Sequence, residues 1–176
     1  MKTVTGGIFW LACSFLLSSC DQPRREEAPR PLTPTRADLG YFCRMIVEDH
    51  LGPKSQVFLS GKDEPLWFTS VRDGIAFTLL PEEPRNIRSV FVTAMDNTDW
   101  SHPETELQSW ISADKAWYVV GSKRRGGMGA AEAIPFKNES AAQGFAEEFG
   151  GYVAALVEIP DNYILGNSEI KANANR

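Results

Sequence analysis

Three side chains that can bind a soft metal ion lie close together in residues 41–50, which read YFCRMIVEDH. Cys43 and Met45 flank a single residue, so their sulfur atoms share a face if this stretch is extended. A thiolate and a thioether are soft donors, and such donors select Cu(I) over Zn, Fe or Mg. His50 follows in the same stretch and could fold back as a further ligand. The spacing therefore predicts a Cu(I) site rather than a site for a harder metal.

A further sulfur donor, Met128, lies within the glycine-rich segment 126–129, which reads GGMG. Glycines allow tight loops and close approach, and core packing does not explain a bulky apolar side chain placed among them. Met128 is therefore a second candidate, with His50, for completing the site. Met95 and His102 are interpreted as structural. Zinc fits poorly, because structural zinc sites usually need several Cys or His ligands and the chain has only two His.

The simplest alternative is that the Cys43 stretch is ordinary core, since free Cys is commonly buried and Met often fills core space. Two functional interpretations without copper also stay open. Cys43 could serve a thiol-based redox or covalent enzyme, or the chain could be a structural lipoprotein adaptor that binds no metal. The pair Cys43 and His50 lacks a recognisable orienting partner, and the sequence contains no G-x-S-x-G motif or P-loop. We therefore predict that the protein is not an enzyme.

The N-terminus predicts export and lipidation. Residues 1–19 have a positively charged start and a short apolar run over 6–17, which is the pattern of a signal peptide. The run ends in LSSC at residues 17–20, which resembles the lipobox of bacterial lipoproteins and predicts lipid on Cys20. Asp21 resembles the signal for retention in the inner membrane. We expect a lipid-anchored protein on the periplasmic face of a bacterial membrane, with the inner membrane favoured over the outer.

The cysteine count supports a functional role for Cys43. The chain has three cysteines: Cys13 leaves with the signal peptide, and Cys20 carries the lipid. Cys43 is then the only free thiol in a compartment that promotes disulfides, so an intramolecular disulfide is excluded. A leftover cysteine in an exported protein indicates intermolecular pairing or a functional thiol.

Composition limits the partners and the size of the domain. The chain of 176 residues carries a net charge of −5 without a basic block, so a nucleic-acid partner is not expected. Residues 20–38 are rich in Pro and charge and predict a flexible, lipid-anchored tether. The polar residues 167–176 predict a flexible tail. The segment between them is long enough for one domain or two small ones.

The body of the chain predicts an α+β fold of two ββαβ units that share a core. The first unit, residues 39–98, includes the Cys-x-Met site, and the second unit spans residues 99–166. Alternating apolar residues and turn signals predict three strands and one helix in each. The predicted strands are 55–60, 65–69 and 87–93, then 116–122, 133–136 and 153–159; the predicted helices are 71–80, capped by Ser70, and 139–149, capped by Asn138 and ended by Gly150-Gly151.

These motifs together resemble the NosL family of bacterial accessory lipoproteins. The matching elements are the lipobox at Cys20, the Cys43-x-Met45 pair leading to HLGPK at residues 50–54, and GMG at 127–129 followed by IPF at 134–136. The resemblance covers essentially the whole chain. The family pattern is usually Cys-Gly-Met, and Arg44 stands here in place of that glycine.

The resemblance implies a function as well as a fold. Members of the family are Cu(I) metallochaperones, which deliver copper for the copper–sulfide centre of nitrous oxide reductase together with an ABC-transporter-type maturation complex. The implied fold is two ββαβ units similar to part of organomercurial lyase. The resemblance implies Cys43 and Met45 as copper ligands, with His50 and Met128 as candidates for completing the site.

Overall fold

The computed structural model describes residues 28–166. The predictions for the signal peptide, for Cys20, for the tether as far as residue 27 and for the tail 167–176 lie outside the described residues. None of the helices between residues 28 and 166 combines the length and the apolar character needed to cross a bilayer.

Two antiparallel sheets and the helices packed on them form the domain, which confirms the predicted α+β fold. One sheet has the strand order β2-β1-β3-β4, and its members are β1 (Ser55–Leu59), β2 (Leu66–Phe68), β3 (Ile87–Thr93) and β4 (Trp110–Ser112). The other has the order β6-β5-β7, with β5 (Trp117–Val120), β6 (Ile134–Phe136) and β7 (Tyr152–Ala155). The helices are α1 (Val71–Leu79), α2 (Glu139–Phe149) and the short α3 (Asp161–Ile164).

Both main helices begin where the sequence predicts. Ser70 caps α1, because its Oγ accepts a hydrogen bond of 3.0 Å from the backbone N–H of Asp73. Helix α2 ends at Gly150, whose φ of 76° is the left-handed conformation that glycine adopts readily. Asn138 lies at the N-cap of α2 but makes no capping bond; its side-chain amide donates to Asp96 instead.

Two elements differ from the sequence prediction. Strand β4 was not predicted, since three residues are too few for an alternating pattern; it pairs with β3 in the first sheet although it belongs to the predicted second unit. The predicted strand 153–159 ends at Ala155, because the Glu158 carboxylate accepts the N–H of Ala155 and a 3₁₀ turn, Leu156–Glu158, follows.

The structured domain also begins earlier than predicted, within the expected tether. The backbone N–H of Leu32 donates to Oε1 of Gln56 over 2.9 Å, and Nε2 of Gln56 donates back to the carbonyl of Leu32 over 3.0 Å. Gln56 is fully buried on β1, so its amide needs these partners. The backbone at Leu32 therefore belongs to the domain.

A common hydrophobic core joins the two sheets. Val71 and Ile75 on α1 pack in one cluster with Tyr118 and Val120 on β5. A second cluster lies beneath α2 and includes Val119, Ile134, Phe136 and Ala142. Helix α1 of the first unit therefore packs directly against strand β5 of the second sheet.

Candidate metal centre

A tight loop holds Cys43 and Met45. The N–H of Gly40 donates to the carbonyl of Met45, and the N–H of Arg44 donates back to the carbonyl of Gly40, each over 2.8 Å. Arg44 has a φ of 59°, so the Cys43–Met45 stretch is not extended, and the condition under which the two sulfur atoms would share a strand face is not met. The loop is a turn because its ends are hydrogen-bonded to each other.

Arg44 adopts a backbone conformation that suits glycine. Among residues 28–166 it is the only non-glycine residue with a positive φ, and the left-handed region costs an L-residue roughly 1–2 kcal/mol. Its guanidinium carbon lies 5.9 Å from the centre of the Tyr41 ring. Glycine, the residue that the family resemblance implies at this position, would adopt the turn without that strain.

The thiol of Cys43 is half-buried between Gly40 and Thr69. A Cβ atom at Gly40 would lie 2.5 Å from Cys43 Sγ, so the thiol occupies space that only glycine leaves free. Thr69 follows β2 and is 1% exposed. Its Oγ1 lies 3.6 Å from Cys43 Sγ and donates to Met128 Sδ over 3.5 Å. The thiol and the thioether therefore meet at one hydroxyl group.

Gly127 brings the Met128 loop against the segment that carries His50. A Cβ at Gly127 would lie 2.4 Å from the carbonyl oxygen of Leu51 and 2.9 Å from Cβ of His50, a contact that only glycine permits. Nε2 of His50 is buried and has no hydrogen-bond partner among the described residues. Met128 itself is 49% exposed. The imidazole thus lies next to the Met128 loop with one nitrogen uncommitted.

A buried ion pair fixes the backbone around His50. Nζ of Lys54 donates to the carbonyls of His50 and Gly52 over 2.5 and 2.6 Å, and lies 3.7 Å from Oε2 of Glu104. Both charged side chains are fully buried. Burial lowers the pKa of Lys54, and the nearby Glu104 carboxylate opposes that shift. By bonding both carbonyls, the buried Lys54 side chain holds residues 50–52 in one position.

The structure thus brings together some of the predicted ligands. Cys43 and Met128 meet at Thr69, and His50 lies against Gly127, whereas Met45 is 40% exposed on the Cys43 loop and takes no part in the described Thr69 contact. Within residues 28–166, no three His, Cys, Asp or Glu side chains are grouped to hold a metal ion. The available donors are therefore mainly methionine and cysteine sulfur.

Sequence reasoning missed Thr69. Its only local signal is a hydroxyl residue directly after a strand, beside the Ser70 cap. Its neighbours Cys43 and Met128 come from distant parts of the chain, so spacing could not reveal the contact.

Comparison with known proteins identifies the family. The NosL family model matches residues 31–164. The copper-binding lipoprotein NosL of Achromobacter cycloclastes is 41% identical over 168 residues, which cover 94% of this chain and 85% of that protein. The protein of the same name from Stutzerimonas stutzeri is 31% identical over 157 residues, covering 88% and 79% respectively.

A solved structure supports the same assignment. The crystal structure of the copper chaperone NosL from Shewanella denitrificans matches with a TM-score of 0.68 at 28% identity, covering 76% of this chain and 97% of that one. None of these names describes an enzyme, which agrees with the prediction from the sequence. The chain belongs to the NosL family.

Proposed function

We propose that this protein is a Cu(I) metallochaperone. The observation that carries the proposal is the meeting of Cys43 Sγ and Met128 Sδ at the Thr69 hydroxyl, beside the uncommitted Nε2 of His50. Soft sulfur donors with an imidazole suit Cu(I). The names of the relatives, copper-binding lipoprotein and copper chaperone, point the same way.

Transfer of the metal follows from the exposure of the donors. Met45 and Met128 are both partly exposed, so a ligand of an acceptor protein can reach copper before the donor bonds break. Cys43 anchors the metal from its half-buried position. Met45 and His50 are the candidates for a third ligand beside Cys43 and Met128, and a low coordination number leaves a position open for the acceptor.

A competition titration tests copper binding. The mature lipoprotein in detergent is titrated anaerobically with Cu(I) against a chromophoric chelator, alongside Cys43→Ser, Met45→Leu, His50→Ala and Met128→Leu. We expect one equivalent to bind, Cys43→Ser to abolish binding, and the other three to weaken it. Met95→Leu is the matched control, because Met95 is buried in the core. Failure of the wild type to compete would refute the chaperone function and leave two roles for Cys43, that of an ordinary structural residue or that of a redox thiol.

We further propose that the copper is delivered for assembly of the copper–sulfide centre of nitrous oxide reductase, with an ABC-transporter-type maturation complex as partner. Membership of the NosL family supports this role. A denitrifying host lacking its own copy should regain copper-loaded reductase when the wild-type chain is supplied, and should not with Cys43→Ser. Full loading by Cys43→Ser would contradict delivery through this site.

The anchor is proposed to be lipid on Cys20 at the periplasmic face of the inner membrane. The LSSC motif and Asp21 support it, as does the word lipoprotein in the names of the relatives. Labelling with an alkyne fatty acid should mark the wild type and not Cys20→Ala, and fractionation should place the labelled protein in the inner membrane. The Cys20→Ala chain should still bind copper, which separates anchoring from the metal site.

A further inference from the structure

Thr69 lies between two sulfur donors of the proposed copper site. The residue is buried, and its hydroxyl oxygen lies within hydrogen-bonding distance of two sulfur atoms. A buried hydroxyl is costly unless it is hydrogen-bonded. Here its partners are the sulfur atoms of Cys43 and Met128, which are weak hydrogen-bonding groups, rather than a backbone carbonyl.

The direction of the Cys43–Thr69 hydrogen bond follows from the Met128 contact, since either atom of the Cys43–Thr69 pair could donate. A hydroxyl group has one proton to donate, and that proton is directed to Met128 Sδ. The contact of 3.6 Å with Cys43 must then use the thiol proton, with Thr69 Oγ1 as acceptor. The hydrogen bonds therefore form a chain in which the Cys43 thiol donates to Thr69 and Thr69 donates to Met128.

The surroundings keep the hydroxyl in place. Thr69 lies between strand β2 and the Ser70 cap of α1, so its backbone is fixed on both sides. Its methyl carbon Cγ2 would lie 3.1 Å from a Cβ at Gly40, so it packs beside the loop that carries Cys43. Since the methyl group is held against that loop, the oxygen stays between the two sulfur atoms.

We propose that Thr69 is the positioning residue of the copper site, holding the Cys43 and Met128 sulfur atoms together and releasing Met128 when the metal binds. The inference rests on the proposed Cu(I) binding. When Cys43 ligates copper as a thiolate, its proton is released to the solvent, and the sulfur no longer donates to Thr69. The Thr69 hydroxyl then turns to donate to the thiolate, and the lone pairs of Met128 Sδ become free for the metal.

A double-mutant cycle tests this role in the mature lipoprotein in detergent. Thr69→Val keeps the shape and removes the hydroxyl, and we expect Cu(I) affinity to fall by at least about tenfold, because the hydrogen bond to the Cys43 thiolate and the placement of Met128 are lost together. Thr69→Ser should restore affinity. In the Met128→Leu background the effect of Thr69→Val should be clearly smaller, because the placement of Met128 can no longer be lost and only the hydrogen bond to the Cys43 thiolate remains to be removed. Thr78→Val is the matched control, since it removes a hydroxyl on α1 that bonds only the Ile75 carbonyl among the described contacts.

The outcomes separate this inference from the proposed function. If the wild type binds Cu(I) and loses it with Cys43→Ser, while Thr69→Val binds as the wild type does, the positioning role is wrong and the chaperone stands. An equal loss from Thr69→Val with and without Met128 would also refute the two-sulfur role. Urea unfolding of each variant excludes simple destabilisation, and Thr69→Ala provides a second probe if Thr69→Val does not fold.

Discussion

Both main helices receive a carboxylate from the other predicted unit at their first turn. The N–H of Arg72 in α1 donates to Oε1 of Glu132 over 2.8 Å, and the N–H of Asn138 before α2 donates to Oδ1 of Asp96 over 2.9 Å. Each carboxylate accepts another backbone N–H, from Ala133 and Lys137 respectively. In both places a side-chain oxygen satisfies backbone N–H groups that would otherwise lack a partner at the start of the helix.

The environments of the two carboxylates differ. Asp96 is partly exposed, whereas Glu132 is buried, and burial raises the pKa of Glu132 to about 8. Oε2 of Glu132 also lies 2.8 Å from where a Cβ of Gly126 would be, directly beneath the Met128 loop. Asp96 thus forms an exposed clamp at the start of α2, the surface clamp. Glu132 makes the same kind of bonds at the start of α1, but it is buried and titratable and lies beneath the Met128 loop.

Replacing Glu132 should change the free energy of unfolding more than replacing Asp96. In the unfolded chain the carboxyl titrates near its ordinary pKa of 4.5, and in the folded protein near 8, so the folded form binds more protons between these values. This contribution to stability is present below the unfolded pKa and is lost as the pH rises to about 8, at a slope of at most about 1.4 kcal/mol per pH unit. Glu132→Gln should remove that slope.

Urea unfolding at several pH values between 5 and 8.5 measures the pH dependence that Glu132 contributes. Asp96→Asn is the control and should keep the wild-type slope in this window. A Glu132→Gln protein with an unchanged pH dependence would show that Glu132 does not titrate abnormally in the folded state.

Removing the surface clamp should have an intermediate effect. Asp96→Ala leaves the N–H groups of Lys137 and Asn138 without their partner, which should lower the free energy of unfolding by about 1 kcal/mol, as for loss of a helix N-cap. Cu(I) affinity should stay at the wild-type value, because Asp96 serves α2 and not the site. Asp63→Ala, in an exposed turn, is the matched surface control. A loss of copper affinity with Asp96→Ala would show that the surface clamp also supports the metal site.

The smallest effect is expected at the Cys43 loop. Arg44→Gly should raise the free energy of unfolding by up to about 1 kcal/mol, because glycine adopts the left-handed conformation without strain while losing more entropy on folding. Gly129→Ala provides the reverse test: its φ is 75° and a Cβ there would meet nothing within 4 Å, so strain alone should destabilise it. Thermal unfolding of both variants gives the comparison. If Arg44→Gly destabilises the protein, the guanidinium contributes more than the strain costs.

The sequence predicted features that depend on neighbouring residues. Strand β3 and helix α2 were found with their observed bounds, because alternation, glycine and apolar spacing are local signals. Strand β4 and the Thr69 contact were not found. A three-residue strand acquires its structure from pairing with β3, and Thr69 acquires its place from two distant sulfur atoms.

The candidate ligands could likewise be predicted one by one from the sequence, but their arrangement could not. Residue type identified Cys43, Met45, His50 and Met128 as donors, but the turn at Arg44 and the packing of Gly127 on Leu51 depend on the folded backbone. The prediction of a flexible tether over residues 20–38 is wrong at Leu32 for a similar reason. Its sequence is polar and proline-rich, and only the buried amide of Gln56 gives it a place in the domain.

The meeting of Cys43 and Met128 at Thr69 has a consequence for how the protein matures. The two sulfur atoms belong to different predicted units. A newly made, unfolded chain therefore contains both donors but does not yet hold them close together. Bringing them together in an unfolded chain means closing a long loop, which costs conformational entropy. A metal that binds only the folded form adds to its stability by mass action. Copper loading would therefore act as a checkpoint, because a chain whose two halves have not docked has no assembled cargo site.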